Sequence, residues 1–456
     1  MKKNILFVGF SDDRYFEKIQ KKVVLLNRDS IFVSLSVKKP QLNINHIPLK
    51  NFFFEDIKSQ KIKHLNCHIN FNIKKLDQEM LNLMIDRVNI EPLSAWQKNY
   101  YINLIFSYWS DYFKKNKLSS IFFVSTPHFP WDYALYLLAK KQKIKVNIIC
   151  RPRIDNALFI YSDINNILKS SIDSKISQKS YFLKKFQTNK LLYSELTEYS
   201  KKKNRYKFNI TFKKFKNLKG IFLSWFSPIV DENYYFGLNL FKFFIFKFKR
   251  IICKNKYKKW IKKNMITENN IKKNFVIFFL QVRPERTLMP EGGFFYNQID
   301  AIKILSDILP KNYQILVKEH PLMFSDTFYK PDIRLLNFHK LEDYLQINNV
   351  SKVKFLDYNL NTNKLMNKAK LVVSLTSSLN WESLLINKPS FSFGETWHSL
   401  CKSSPKFTKK DKFKKEIFDL INNNSKIKKN LKSFYTLISK KVIYGCPHEK
   451  IYEKKK

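Results

Sequence analysis

Three short segments in the second half of the chain carry residues whose types and spacing could hold a phosphorylated ligand. In Ser374-Leu-Thr376-Ser377-Ser378-Leu-Asn380-Trp381-Glu382, hydroxyl residues follow an apolar run and precede a helical pattern. Hydroxyls at such a junction cap a helix, and the N–H groups of a helix N-terminus attract anions. Glu382 lies one turn inside that helix, where a carboxylate could accept hydrogen bonds from a ribose diol. In Val317-Lys318-Glu319-His320-Pro321, the proline stops a strand and holds the preceding histidine extended. A lysine beside a histidine at a strand's carboxyl end suits a phosphate. The third segment, Gln281-Val-Arg283-Pro-Glu285-Arg286 followed by Pro290-Glu-Gly292-Gly293, sets two guanidiniums and the only Gly-Gly pair on one loop. Each segment alone has an ordinary structural reading as an N-cap, an ordered histidine or a surface turn. Their succession on consecutive strands is what argues for a site.

The first half offers groups for proton transfer or nucleophilic attack: His128 and Asp132 in Thr126-Pro-His128-Phe-Pro130-Trp-Asp132, and Asp12 and Asp13 after the first apolar run. Asp132 reads equally as a charge at a helix N-terminus, and His128 as a ring ordered by its flanking prolines. No Asp-x-Asp pair ends a strand to hold a divalent ion. His64, Cys67 and His68 form one cluster without an obvious further ligand, a weak case for zinc.

The elements that must position these groups alternate between short apolar runs and helical patterns, the signature of β-α units and a mostly parallel sheet. In the first half, strands are expected at Ile5–Phe10, Ser120–Ser125 and Lys145–Cys150, with helices near Pro92–Lys115 and Trp131–Lys141. From Phe275 the pattern predicts strands at Phe275–Leu280, Gln314–Val317, Val353–Leu356, Leu371–Leu375 and Ser390–Phe393. Helices are expected at Asn297–Leu309, Leu341–Asn348, Asn361–Ala369 and Leu379–Ile386. Ligands of open α/β sheets bind beyond the carboxyl ends of the strands, which is where the three segments fall. Asn387 is expected in the left-handed position after the last of these helices. The Lys-rich tail shows helical stretches at Lys412–Asn422 and Asn430–Lys441 that read either as packed or as solvated.

Composition removes several classes. The 456 residues, 44% hydrophobic and 16% aromatic, suffice for two or three domains with real cores. Seven glycines leave no place for GxGxxG or a Walker loop. Five scattered cysteines form neither a disulfide framework nor a zinc ribbon, which fits a reducing compartment. The opening MKKNILFVGFSDD has too short an apolar run for a signal-peptide core and reads as a buried strand, so a cytoplasmic protein is expected. The net charge is +47, yet only 10 of the 84 basic residues are Arg. That share, and the lack of any recognition motif, argue against nucleic acid as a partner. The stretch Phe236–Cys253 is too interrupted by Lys and Arg to span a membrane. It reads as a helix on an anionic membrane surface or, because Phe243 and Phe246 fall inside its basic arc, as a core helix with snorkelling lysines.

The segments FFLQVRPERTLMPEGGFFYNQIDAIKILSDILP, VKEHP and SLTSSLNWESLLINKPSFSFG resemble the capsular polysaccharide biosynthesis proteins related to bacterial Kdo (3-deoxy-manno-octulosonic acid) transferases. STPHFPWDYALYLLAKKQKIKV is similar to the N-terminal half of such proteins, so the likeness covers about 120–154 and 275–394. It implies a GT-B glycosyltransferase of the α/β class, two Rossmann-like domains facing a cleft. The implied division is an acceptor-side domain at 1–154, a basic connecting region at 155–274, a donor domain at 275–400 and a helical tail at 401–456. The donor would be a nucleotide sugar, CMP- or NDP-linked, and the acceptor a glycan or glycolipid. On this resemblance His320 is the donor-phosphate ligand of an HP motif, Ser377 and Ser378 are the hydroxyl turn at that phosphate, and Glu382 is the ribose carboxylate. Arg283, Glu285 and Lys318 complete the expected donor set, and Asp132, His128 and Asp13 the catalytic candidates. Lys318, His320 and a helix dipole could stabilise a departing phosphate without a metal, so no cofactor is expected. The competing reading is a membrane-surface or polysaccharide-binding protein without catalysis.

Overall fold

The computed structural model describes residues 4–10, 20, 24, 30–36, 39–52, 57–58, 71, 73–89, 93–154, 157–172, 240–282, 286–320, 341–422 and 426–444. Asp12, Asp13, His64, Cys67, His68, Arg283 and Glu285 lie outside them. By internal contacts the described chain divides into two units, 4–172 with 443–444, and 240–442.

The first unit is a seven-stranded sheet. Its strands are β1 (Asn4–Val8), β2 (Ile31–Ser36), β3 (Asn45–Pro48), β4 (Leu118–Phe123), β5 (Lys145–Cys150), β6 (Ala157–Tyr161) and β13 (Ile443–Tyr444), in the order β3-β2-β1-β4-β5-β6-β13. The first five in that order pair in parallel, and β6 and β13 are added antiparallel. The helices are α1 (Lys75–Val88), α2 (Ala95–Asn116) and α3 (Pro130–Lys141). Helix α2 starts from a reciprocal capping box between Ser94 and Gln97, and α3 starts on Pro130 with its ring at the first turn. Both α1 and α2 bury apolar residues at helical spacing, Met80, Leu81, Met84, Ile85 and Val88 in α1.

The second unit begins with α4 (Leu240–Asn264) and contains a six-stranded, wholly parallel sheet. Its strands are β7 (Met265–Ile266), β8 (Phe275–Phe279), β9 (Gln314–Lys318), β10 (Val353–Leu356), β11 (Leu371–Ser374) and β12 (Ser390–Ser392), in the order β12-β11-β8-β9-β10-β7. Every residue of β8, β9 and β11 is buried, as expected of parallel strands covered on both faces. The helices are α5 (Gln298–Ile308), α6 (Leu341–Asn348), α7 (Thr362–Lys368), α8 (Ser378–Leu385), α9 (Lys410–Asn422) and α10 (Ile427–Ile438). The last two settle how the tail lies: Phe413 of α9 packs at a tilt against Phe391, while Phe434 and Tyr435 of α10 pack on Trp381.

From β1 in the first sheet, and from β8 in the second after the short edge strand β7, two strands follow on one side and the chain then crosses to the other. In the second unit β8 is flanked by β9 and β10 on one side and by β11 and β12 on the other. In the first, β1 is flanked by β2 and β3, then by β4 and β5. This is the Rossmann-like doubly wound order. It leaves a crevice where the winding reverses, between β1 and β4 in one unit and between β8 and β11 in the other.

Candidate functional site

The reversal point of the second unit is built from polar side chains that its apolar strands deliver to one edge. Gln281, two residues beyond β8, reaches across to the loop after β11: its Nε2 donates to Thr376 Oγ1 at 2.9 Å, and its Oε1 accepts the Thr376 backbone N–H at 3.1 Å. Gln298, buried at the start of α5, closes the same knot by accepting the Gln281 N–H at 2.8 Å. Thr376 also donates to the Thr287 carbonyl at 2.6 Å. Gly394, just past β12, completes the junction. A Cβ there would stand 2.5 Å from the Glu291 carbonyl oxygen and 2.6 Å from Thr376 Cγ2. Gln281 and Thr376 both fall in the segments singled out in the sequence, but nothing in their spacing predicts that they bond to each other.

This brace fixes the start of α8. Ser377 is its N-cap, the hydroxyl accepting the Leu379 N–H at 3.2 Å, and the Ser377 N–H donates back to Ser374 Oγ at 3.0 Å. Ser378 donates its hydroxyl to Glu382 Oε1 at 3.1 Å, so the carboxylate one turn inside the helix is turned toward the helix N-terminus. Glu382 is only 7% exposed. Asn387, with φ of 58°, takes the left-handed position expected for it.

On the other side of β8, β9 ends at Lys318 and is followed by Glu319 and His320. The Lys318 ammonium is buried and donates to the Tyr358 carbonyl at 2.7 Å. Glu319 is buried too. Its Oε1 accepts the His320 backbone N–H at 2.7 Å, while its Oε2 accepts the hydroxyls of Tyr344 at 2.5 Å and Tyr257 at 3.4 Å. The rings of Tyr257 and Tyr344 stack at 3.9 Å, and burial followed by the neighbouring hydroxyl and carboxylate holds the Tyr257 phenol well above its ordinary range. Three donors thus orient the Glu319 carboxyl group and fix the backbone that carries His320. The ends of β9 and β11 are separated by β8 alone, roughly 10 Å at the usual strand spacing. The loop after β8 brings Arg286, which pairs with Glu291 at 3.3 Å.

In the first unit, the loop after β4 carries His128 and the first turn of α3 carries Asp132 at the corresponding reversal point. The close approach of β1 and β4 there needs a glycine, since Gly9 sits at φ of 79° and a Cβ would stand 2.7 Å from Val124 Cγ1. His128 Nδ1 lies 2.7 Å from the Thr126 carbonyl, and Thr126 Oγ1 in turn lies 2.7 Å from the Tyr161 hydroxyl. Asp132, 6% exposed, occupies the third position of α3, where Oδ1 accepts the Phe129 N–H at 2.6 Å. Arg87 donates to the His128 carbonyl at 3.2 Å and lies over the Phe129 ring at 4.9 Å. Burial pushes the Asp132 carboxyl up to about 7, against the opposing pull of the Phe129 and His128 N–H groups and the Arg87 guanidinium. Asp132 is therefore a helix N-terminal acid whose proton is poised near neutrality.

The described site residues thus form two groups, Lys318, His320, Ser377, Ser378 and Glu382 in the second unit, and His128 and Asp132 in the first. Among the described residues no group of three or more His, Cys, Asp or Glu side chains could hold a metal ion.

Residues 238–405 match a family described as capsule polysaccharide biosynthesis protein, a span that contains every described residue of the second-unit group. No curated protein matches the chain. Among solved structures it is similar to KpsC, a beta Kdo 2,7 transferase of Thermosulfurimonas dismutans, at 12% identity over 77% of this chain and 90% of that one, with a TM-score of 0.31. It is also similar to the UDP-GlcNAc 2-epimerase of Methanocaldococcus jannaschii, at 13% identity over 93% of both chains and a TM-score of 0.25. A glycosyltransferase of Rickettsia africae matches at 10% identity over 96% of this chain and 94% of that one, with a TM-score of 0.26.

Proposed function

We propose that this chain, whose residues 238–405 match the capsule polysaccharide biosynthesis family, is a GT-B glycosyltransferase of bacterial capsule or surface polysaccharide biosynthesis. It transfers a sugar from a nucleotide-activated donor, CMP- or NDP-linked, to a glycan or glycolipid acceptor, without a metal ion. The observation that carries this reading is the reversal point between β8 and β11. There a braced helix N-terminus, a hydroxyl pair and a buried carboxylate flank the same central strand as Lys318 and His320.

In this reading the donor phosphate lies at the N-terminus of α8, against the Ser377 and Ser378 turn and His320, and the ribose diol donates to Glu382. As the bond from the anomeric carbon to the phosphate oxygen breaks, negative charge grows on the leaving nucleotide. The helix N-terminus and the basic pair after β9 stabilise that charge without needing to reorganise. Lys318 supports from behind, its ammonium being committed to the Tyr358 carbonyl. The acceptor hydroxyl forms the new bond to the anomeric carbon and loses its proton to a base of the first unit. Asp132 is our choice, since its carboxyl exchanges a proton near neutral pH, with His128 beside it. We place the protein on the cytoplasmic side, at the membrane where glycolipid acceptors are assembled.

The test is turnover. The full chain incubated with CMP-linked and NDP-linked sugars and oligosaccharide acceptors should release free nucleotide only when acceptor is present, and equally in the presence of a chelator. Release abolished by the chelator and restored by a divalent ion would contradict the metal-free mechanism. Failure of every donor to turn over would return the reading to a non-catalytic polysaccharide-binding protein.

A further inference from the structure

Helix α4 has two opposite faces with different fates. Tyr257 and Ile261, one turn apart, are buried, with Trp260 beside them packed edge-on to Phe355 at 5.3 Å. Tyr257 is tied further in by its stack on Tyr344 and its hydroxyl on Glu319. These contacts fix the C-terminal half of the helix to the second unit. The face opposite is exposed along its length and reads Ile245, Phe248, Ile252, Lys256, Lys259 and Lys263, steps of three and four residues that keep all six on one line. Its first three members are 39%, 67% and 41% exposed. One outward line therefore changes from apolar to cationic as it passes from the outer end of the helix to the end that is anchored.

The charge around that line selects what could cover it. Leu240–Asn264 contains ten Lys or Arg and no Asp or Glu, in a chain whose net charge is already +47. A second copy of the chain would bring the same dense positive charge to the contact and be repelled. An anionic bilayer supplies both parts of the complement, an apolar interior for isoleucine and phenylalanine and a negative surface for lysine. No described helix is long and apolar enough to cross a membrane, so such a contact lies on the surface.

We infer that α4 is a docking helix for an anionic phospholipid bilayer, with Ile245, Phe248 and Ile252 inserted below the headgroups and Lys256, Lys259 and Lys263 set against lipid phosphates. This deepens the membrane-proximal placement proposed above and rests on that reading only for its biological sense, because the contact requires neither nucleotide nor acceptor. The test is sedimentation of the full chain with phosphatidylcholine vesicles prepared with and without phosphatidylglycerol, in the absence of any donor. Binding is expected to require the anionic lipid and to weaken as salt is raised. The triple variant Ile245→Ser, Phe248→Ser, Ile252→Ser should partition roughly tenfold less, since the apolar area it removes is what enters the bilayer. Phe248→Ser alone, at the most exposed of the three, should lose part of that binding and serves where the triple variant folds poorly. Lys256→Gln, Lys259→Gln, Lys263→Gln should lose affinity and show a shallower salt dependence. Equal binding to neutral and anionic vesicles, or apolar variants that partition like wild type, would overturn the inference. So would competition by single-stranded DNA that leaves the apolar variants unaffected, which would assign the face to nucleic acid. Loss of vesicle binding with donor turnover intact would separate this contact from the transferase reading.

Discussion

A carboxylate that accepts a hydroxyl from its own helix, as Glu382 does from Ser378, is oriented before any ligand arrives. In the proposed donor site Glu382 accepts from the ribose diol, so Glu382→Ala should weaken nucleotide binding about tenfold or more, the cost of about 1.5–3 kcal/mol for a lost hydrogen bond to a charged group. Ser378→Ala should cost less, because it loosens the carboxylate without removing it. Titration calorimetry with the cognate nucleotide reads both. Asp132 makes a different demand. Its folded carboxyl sits near 7 against 3.8 for the free group, so between those values the folded state holds a proton that the unfolded state has released. Stability should therefore fall as pH rises from about 4 to 7, and Asp132→Asn should flatten that slope in pH-dependent melts while lowering turnover. The residues that were legible in the sequence share one property, a polar type directly beside an apolar strand or a proline. Gln281 and Thr376 had that property as well, but their partnership spans 95 residues of sequence and is made only by the crossing from β8 to β11. Glu319 went unremarked as a contributor because its meaning depends on Tyr257 and Tyr344, which come from two other helices.

At the scale of elements, the sheet of the second unit rests on loops meeting over its carboxyl edge, and Gly394 is where three of them come closest. Gly394→Ala would drive a methyl against the Glu291 carbonyl, Thr376 and Gly292 at once. An overpacked site of this kind costs about 1–3 kcal/mol, to be read as a lowered melting temperature with weaker nucleotide binding. Wild-type stability in this variant would mean that the junction is looser than the distances imply. Strands buried on both faces announce themselves as apolar runs, which is why Phe275–Phe279, Val353–Leu356 and Lys145–Cys150 were readable. β2 and β3 were not, because Ser34 and Ser36 bond to each other within one and Asn45 and His46 dilute the other. Helix α1 hid among polar residues with no side-chain cap at its start. In α4 the amphipathicity of the sequence is imperfect, because its apolar residues do not fall on a single arc. The helix instead has one buried face, supplied by Tyr257 and Ile261, and one outward line that changes character along its length.

For the whole molecule, the two Rossmann-like units follow from repeating one winding order twice, each time with a reversal point beside its first central strand. Ten of the 84 basic residues behind the +47 net charge lie on Leu240–Asn264 with no acidic residue among them, so this helix carries an uncompensated share of it. The central claim concerns the reversal point of the second unit, and titration calorimetry of the full chain with CMP, UDP, GDP and dTDP tests it most directly. One of these nucleotides should bind wild type, and both His320→Ala and Glu382→Ala should bind it about tenfold or more weakly at unchanged melting temperature. If none of the four binds wild type, or the two variants bind as tightly as wild type, the second-unit crevice is not the donor site.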